Sequence, residues 1–440
     1  MAENFVGGKI GEAVISMPPG LSVHQAQAIK DACEIAGIPN PFLMSDTTAV
    51  AIYYTFYSDS HLAPVFSLGE KKLLIVNVGA GTTGAAVAVA QGGVIKVQAA
   101  ACNHQLGGDD IDRILVNYVV AELRAKHGID ITGRARNLAR LSSACERAKR
   151  DLSSMQKTLL DLEGISEHIQ TPNILITQDQ FHTLCGSLYD AIVGLIKTAL
   201  AEANVSKDGI TDILLVGGAT RTPGVARSIQ DFFRGQGQKV TSVRNLDDAV
   251  AYGCAVRSAI RSAVSDDSLL PTQVQEKLVR LSVSDVFHHS LNIAVIPNPD
   301  TSQGTDYLPP DGGSPHESVI KTILKRNSQI PGFVIQEFST ASRDQTTVHI
   351  QIYEGESIIP SQNALLVIFE LQGIPKPVFP ARRATVEVRI DVAVDRSIVV
   401  HARHLRTGGT ISRRLAIDSG RLRQEEKRAM IKRAKTLDGA

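Results

Sequence analysis

Short apolar runs closed by glycine turns alternate with helical stretches of three- and four-residue spacing from residue 1 to about 262. That alternation predicts an α/β arrangement. From 285 to 415 the pattern shifts to period two, as in Val348, Ile350 and Ile352, and predicts a β-rich second part. Two of the apolar runs share one grammar. Leu73, Leu74, Ile75 and Val76 lead toward Gly79, and Ile213, Leu214, Leu215 and Val216 lead into Gly217 and Gly218. Each reads as a buried strand entering a tight turn. After the second turn Thr222 suits a helix N-cap, Pro223 its first position, and Val225, Ile229, Phe232 and Phe233 its apolar stripe.

Gly79 and Gly81 can take backbone angles closed to other residues, and their N–H groups, with the hydroxyls of Thr82 and Thr83, would line an anionic pocket. Taken alone, the same turn also suits a purely structural role. Between the two turns, Leu138, Leu141, Cys145, Ala148 and Leu152 follow helical spacing and leave Glu146, Lys149, Arg150 and Ser153 together on another face. An acceptor, two cations and a hydroxyl are what a purine ribonucleoside needs for its sugar and base. On an isolated helix the face would equally be a solvated row of neighbouring charges.

In chain order, HQLGGDDIDRILVNYVVAEL, ACERAKRDLS, DILLVGGATRTPGVARSIQDFF and LDDAVAYGCAVRSAI each resemble segments of the heat shock protein 70 family. ILKRNSQIP, EFSTASRDQTTVHIQIYEGE and LQGIPKP resemble that family's β-rich peptide-binding domain, and SGRLRQEEKRAMIKRA its first lid helix. The resemblance covers nearly the whole chain. It implies an α/β actin-like ATPase domain over 1–262, lacking its N-terminal segment, and an interdomain linker over 263–284. A β-sandwich peptide-binding domain over 285–415 and a short helical lid remnant over 416–440 would follow. The implied ligands are ATP or ADP with Mg2+, and unfolded or nascent polypeptides; a J-domain co-chaperone or a nucleotide exchange factor are the implied partners.

Carried over by motif, the resemblance implies that Gly79, Ala80, Gly81 and Thr82 approach phosphate and that Gly108 lies near the nucleotide. Glu146, Lys149, Arg150 and Ser153 would hold adenosine, Gly217, Gly218, Ala219 and Arg221 would flank base and sugar, and Asp247 would stand near ribose or phosphates. Asp46 and Thr82 are the implied catalytic positions. Ile320, Phe338, Ala341, Val348 and Ile350 match positions that line or support the family's peptide pocket; by composition alone they are core residues. The family continues differently at His288 and His289, which read as surface positions.

The chain departs from the family pattern where phosphoryl transfer is organised. Asn77 and Gly84 stand where the family has acidic residues, and Asp46 and Thr47 where it has glutamate and proline. Met1 aligns inside the ATPase domain, so the first phosphate-binding hairpin and the catalytic lysine are expected to be absent, and a strand over Ala13 to Met17 is expected to lack its neighbours. Positioning of water and metal and neutralisation of the transferring group then suffer. In the connector, Arg280, Leu281, Ser282, Val283, Ser284 and Asp285 replace an apolar run, which predicts weak coupling between the two halves. The implied function is an ATP-binding molecular chaperone that assists folding by binding extended hydrophobic segments. A non-hydrolysing co-chaperone or scaffold is the alternative, and a sugar kinase of the actin-like class leaves the β-rich half unexplained.

Composition and the remaining motifs add further constraints. The chain has 440 residues and a net charge of +1, but residues 381–440 hold 15 Lys or Arg against 7 Asp or Glu. The basic positions after Arg421 interleave with Glu425 and Glu426, the pattern of a solvated helix rather than of a nucleic-acid surface. Five widely spaced cysteines without a C-x-x-C pair fit a reducing compartment better than a disulfide framework. His401 and His404 lie in a strand-like pattern without a third ligand, so no metal site is predicted. The opening residues have no basic leader followed by an apolar core, and no 18-residue apolar stretch follows; the expected compartment is the cytoplasm, with no membrane partner. Pro297 to Ser318, dense in Pro, Gly, Asp and Ser, predicts a mobile surface loop.

Overall fold

The computed structural model describes residues 3, 5, 7–8, 10–38, 40–57, 69–162, 173–235, 239–242, 248–262, 271–297, 306–308, 318–342, 344–375, 384–415, 422 and 424–438. The chain divides into two compact units: residues 46–95 with 99–256, and residues 1–45 with 96–98 and 257–440. The grouping of the first 45 residues with the β-rich part has no signal in the local pattern. Among the described residues no single helix is long and apolar enough to cross a membrane.

In the first of these units Lys71–Val78 and Thr83–Gln91 form an antiparallel hairpin around the first glycine turn. Asp212–Val216 lies parallel to Lys71–Val78, with Leu73 opposite Asp212 and Asn77 opposite Val216, and Lys239–Ser242 lies parallel on its far side. Leu73 to Val76 and Ile213, Leu214 and Val216 have no accessible surface, as runs buried on both faces should. The helices Gly108–His127, Ala135–Asp151, Gly186–Glu202 and Pro223–Phe232 supply Ile111, Leu115, Leu141, Cys145, Ile192, Ile196 and Ile229 to the same core. Thr222 is the N-cap residue and Pro223 the first helical residue of the last helix, as read from the sequence.

The second unit contains a β-sandwich. Its sheets have four strands, in the order Val319–Leu324, Leu291–Val295, Thr347–Glu354, Ala364–Gln372, and five, in the order Tyr307–Leu308, Gly332–Thr340, Thr385–Val392, Ile398–His404, Thr410–Arg414. Alternation is strict in Thr385–Val392, where Val386, Val388, Ile390 and Val392 are buried and their neighbours are not. A one-residue slip would expose all four, and each buried aliphatic side chain is worth about 1.5–3 kcal/mol, so the register is fixed. Tyr307–Leu308 corrects the surface-loop expectation in part: it pairs parallel with Ser339 and Thr340, and Leu308 is fully buried. Residues 298–305 and 309–317 of that stretch lie outside the described residues.

Two further expectations change. Val14–Met17 has a neighbour: it pairs in parallel with Phe42–Ser45, the two strands being joined by the helix Val23–Ile35. The connector forms a helix, Thr272–Val279, and then a strand, Ser282–Phe287, paired with Ser328–Ile330. His288 is buried rather than at the surface. Its Nε2 lies 3.0 Å from Ser45 Oγ and 3.1 Å from Arg396 Nη2, and Arg396 donates at 2.7 Å to Asp285 Oδ2. Arg396 adopts φ of 63°, a left-handed conformation that costs a non-glycine residue about 1–3 kcal/mol and persists because this polar cluster holds it. His289 is half-buried, with Nε2 2.9 Å from the Gly20 carbonyl oxygen.

The expected lid helix, Gln424–Asp438, packs on the helix Val23–Ile35. Lys427 is fully buried there and donates to Asp31 Oδ1 at 2.6 Å and Glu34 Oε2 at 2.8 Å. Beyond the other end of Val23–Ile35, the Val23 N–H donates to both oxygens of Glu354, at 3.1 and 2.9 Å. Burial pushes the Glu354 carboxyl up to about 7; Glu356 adds to the shift, and the Val23 N–H opposes it. The folded value lies above the ordinary 4.5, so the folded state binds the extra proton. This contribution to stability is fully present below pH 4.5 and is lost as pH rises to about 7. In thermal melts, Glu354→Gln is expected to flatten the fall in Tm across that window; an unchanged slope would count against the assignment.

Candidate functional site

The site grows out of the parallel pairing of the two glycine-ended strands, which brings both turns to the same end of the sheet. Gly217 takes φ of 87°, and a Cβ there would lie 2.3 Å from the Val78 carbonyl oxygen and 2.5 Å from Asn77 Oδ1. Only glycine satisfies both the angle and the space. Gly79 and Gly81, which are free to take special angles, do not use the left-handed region; Gly79 closes the turn by donating its N–H to the Thr82 carbonyl at 2.9 Å.

The helix Gly108–His127 begins against this turn. Gly108 donates to the Gly79 carbonyl at 2.9 Å and Asp109 to the Ala80 carbonyl at 2.8 Å. Gly107 was not singled out by the sequence reading, yet a Cβ there would stand 2.2 Å from the Ala80 carbonyl oxygen. Its backbone is extended, so the requirement is for space and not for angle.

The helix Ala135–Asp151 presents its polar face to the same space. Lys149, mostly buried, donates to Asp112 Oδ2 at 2.7 Å and to the Gly108 carbonyl at 3.1 Å, and Ser153 Oγ donates to the Lys149 carbonyl at 3.1 Å. Burial raises the Asp112 carboxyl, and Lys149 opposes that rise. Arg150 pairs with Glu146 one helical turn back, and its side chain is 74% exposed. A pair this exposed is worth at most about 1 kcal/mol, so both groups can turn to a ligand at small cost.

Gly79, Ala80, Gly108, Glu146, Lys149, Arg150, Ser153, Gly218, Ala219 and Arg221 thus line one cleft of about 600 Å³. Asp109, Asp112 and Thr222 line it too and were missed. Asp112 was legible in principle, being four residues after Gly108 on the same helix face. Gly81, Thr82, Gly217 and Asp46 stand outside the lining, and Asp247 lies outside the described residues. Asp46 is buried at the start of the helix Asp46–Tyr57, and its Oδ2 accepts the Asn77 amide at 2.6 Å. The buried thiols do not suit nucleophilic chemistry: burial pushes Cys145 and the half-buried Cys102 up to about 12, and Cys185 and Cys254 up to about 11.

Phe338, Val348 and Ile350 have no accessible surface and belong to the sandwich core, whereas Ile320 and Ala341 are partly exposed. Ile320 donates its N–H to the Ile358 carbonyl at 3.2 Å, and Val319, Ile358 and Ile359 are exposed apolar residues. His401 and His404 lie on the strand Ile398–His404, and no group of three His, Cys, Asp or Glu suited to a metal ion occurs among the described residues.

An α/β unit with a glycine-lined cleft, carried in one chain with a β-sandwich, defines the class. The family model for Hsp70 protein matches residues 1–299 and 314–439, and the chain belongs to that family. Among curated relatives, the heat shock 70 kDa protein 2 of Paracoccidioides lutzii is 33% identical over 98% of this chain and 60% of its own length. The heat shock 70 kDa protein of Penicillium citrinum is 34% identical over 98% of this chain and 77% of its own. A ribosome-associated molecular chaperone of Eremothecium gossypii is 33% identical over 100% and 65%. The chain therefore spans only part of the length of each.

Removing the cation from the cleft leaves a mostly buried carboxylate unmatched, which typically costs about 3–5 kcal/mol. Lys149→Met is expected to lower the unfolding midpoint in urea substantially, and the added change Asp112→Asn to recover most of the loss. A single variant as stable as the parent would refute the pairing.

Proposed function

We propose that this chain binds an adenosine nucleotide in the glycine-lined cleft and extended apolar polypeptide segments on the β-sandwich, as an ATP-binding chaperone that assists folding but hydrolyses nucleotide slowly. The convergence of both glycine turns and the polar helix face on one cleft carries this reading. Its volume is that of a small-molecule site. Gly79 and Gly108, which carry no side chains, line the part of the cleft where a phosphate chain would lie. Glu146 would accept from the ribose hydroxyls, Lys149 and Ser153 would orient the nucleoside, and the Arg150 guanidinium would stack on the base. Arg221, Gly217, Gly218 and Ala219 would flank base and sugar, with Asp247 nearby.

The residues present fit the metal less well than the nucleoside. Magnesium keeps several waters and takes one or two carboxylates with the phosphates. Here Asn77 is neutral, Gly84 has no side chain, and the Asp46 oxygen nearest Asn77 already accepts its amide. Asp46 and Thr82 are then weak catalytic groups, which supports slow hydrolysis and keeps the non-hydrolysing co-chaperone or scaffold as a second reading. Ile320 and Ala341, with Val319, Ile358 and Ile359, would meet an apolar segment, while Phe338, Val348 and Ile350 would support the sheets beneath. Partners would be unfolded or nascent polypeptides, with a J-domain co-chaperone or exchange factor. The free thiols support a reducing compartment such as the cytoplasm.

Calorimetric titration with ATP and ADP in the presence of magnesium, with phosphate release followed on the same sample, tests this reading. Both nucleotides are expected to bind, Arg150→Ala to weaken them about tenfold, or roughly 1.4 kcal/mol, and phosphate release to stay near the buffer rate. Absence of ADP binding would overturn the nucleotide assignment; rapid release lost in Asp46→Asn would overturn slow hydrolysis alone.

A further inference from the structure

A second cavity, of about 300 Å³, lies within the unit that contains the β-sandwich. One wall is a single face of the helix Val23–Ile35: Val23, Ala26, Gln27 and Lys30 fall at positions i, i+3, i+4 and i+7 and all line it. A face meant to pack solidly would carry larger apolar residues, and here Ala26 and Gln27 leave the space open. Met17, Leu43, Phe287 and Ile398 supply an apolar middle; all four are buried.

The two ends differ in charge. At the Val23 end Glu354 is committed to the helix N-terminus, with both carboxylate oxygens accepting the Val23 N–H. About 10 Å further along the helix axis, Lys30, Arg396 and Arg414 line the other end. Arg396 is matched by Asp285 at 2.7 Å. Among the described residues Lys30 donates to a neutral group there, the Asp395 carbonyl at 3.2 Å, while the Asp395 side chain accepts the Ser397 N–H at 3.0 Å. Burial holds the Lys30 amine below its usual range; Asp395 opposes that, and Arg414 and Arg396 deepen it. Arg414 is exposed and marks the mouth. At this end three cations, Lys30, Arg396 and Arg414, meet two carboxylates, Asp285 and Asp395, so one positive charge is left over, while Glu354 is engaged at the opposite end.

We propose that this cavity is a binding site for a small amphipathic monoanion, an apolar chain of about eight carbons bearing one carboxylate, with the carboxylate at Lys30 and Arg414 and the chain running toward Leu43 and Phe287. A neutral or cationic ligand of the same length fills the apolar middle but leaves the cationic end unmatched.

The test uses the full chain with octanoate, octanol and octylamine as probes, titrated by calorimetry at neutral pH. Octanoate is expected to bind one to one and at least tenfold tighter than either of the others. Lys30→Met, which keeps the stem and removes the charge, is expected to abolish that preference. Arg414→Gln, at the exposed mouth where folding is not at stake, is expected to weaken octanoate severalfold and leave octanol unchanged. Ala26→Leu fills the cavity and is expected to weaken all three probes, which separates this site from apolar surface elsewhere on the sandwich. Octanoate binding no tighter than octanol, binding indifferent to both charge changes, or binding unaffected by Ala26→Leu would each overturn the proposal.

Discussion

The candidate site rests on one in-register parallel pairing, Lys71–Val78 against Asp212–Val216. Because the strands run the same way, both glycine turns leave the sheet at one end, where ligands of open α/β sheets gather. The pairing also forces a close crossing: the backbone after Val216 passes the Val78 carbonyl at a distance that admits no side chain. Gly217 follows from that crossing, and the turn Gly218–Arg221 takes its direction from Gly217. The polar helix face and the start of Gly108–His127 are then packed against an arrangement already determined by two strands some 140 residues apart.

The features legible in the sequence were those encoded locally. Thr222 with Pro223, the spacing from Leu141 to Leu152, and the alternation of Val348, Ile350 and Ile352 each contain their own structural instruction, and each appears where the pattern puts it. The features that were not legible depend on distant residues. His288 looks like a surface residue in its own segment, and its burial is set by Ser45, 243 residues earlier, and Arg396, 108 residues later. Gly107 belongs to a glycine pair whose two members have different reasons for being glycine, and only the approach of Ala80 separates them. The helix Gln424–Asp438 reads as solvated and basic, which is true of most of its described face, but Lys427 finds two acids on a helix near the other end of the chain.

Buried cations recur as fixing points inside each unit. Lys149 with Asp112, Arg396 with Asp285, and Lys427 with Asp31 are all shielded from water and join segments remote in sequence. Desolvation offsets most of the attraction in such pairs, so they contribute little net stability compared with an apolar contact. Their asymmetry matters more: either partner alone is costly, so the two segments are held in the arrangement that satisfies both. The apolar clusters provide cohesion, and these pairs select among the ways the same apolar faces could meet.

Asn77 shows what a neutral side chain does in a crowded polar site. Its Nδ2 donates to Asp46 at 2.6 Å while its Oδ1 lies against Gly217. A second carboxylate at that separation would face like-charge repulsion and would have to share a proton or recruit a counter-ion. The amide removes that frustration by supplying the missing donor itself. The hairpin, the start of the helix Asp46–Tyr57 and the second glycine turn therefore meet at one amide, which belongs to the first, bonds the second and crowds the last.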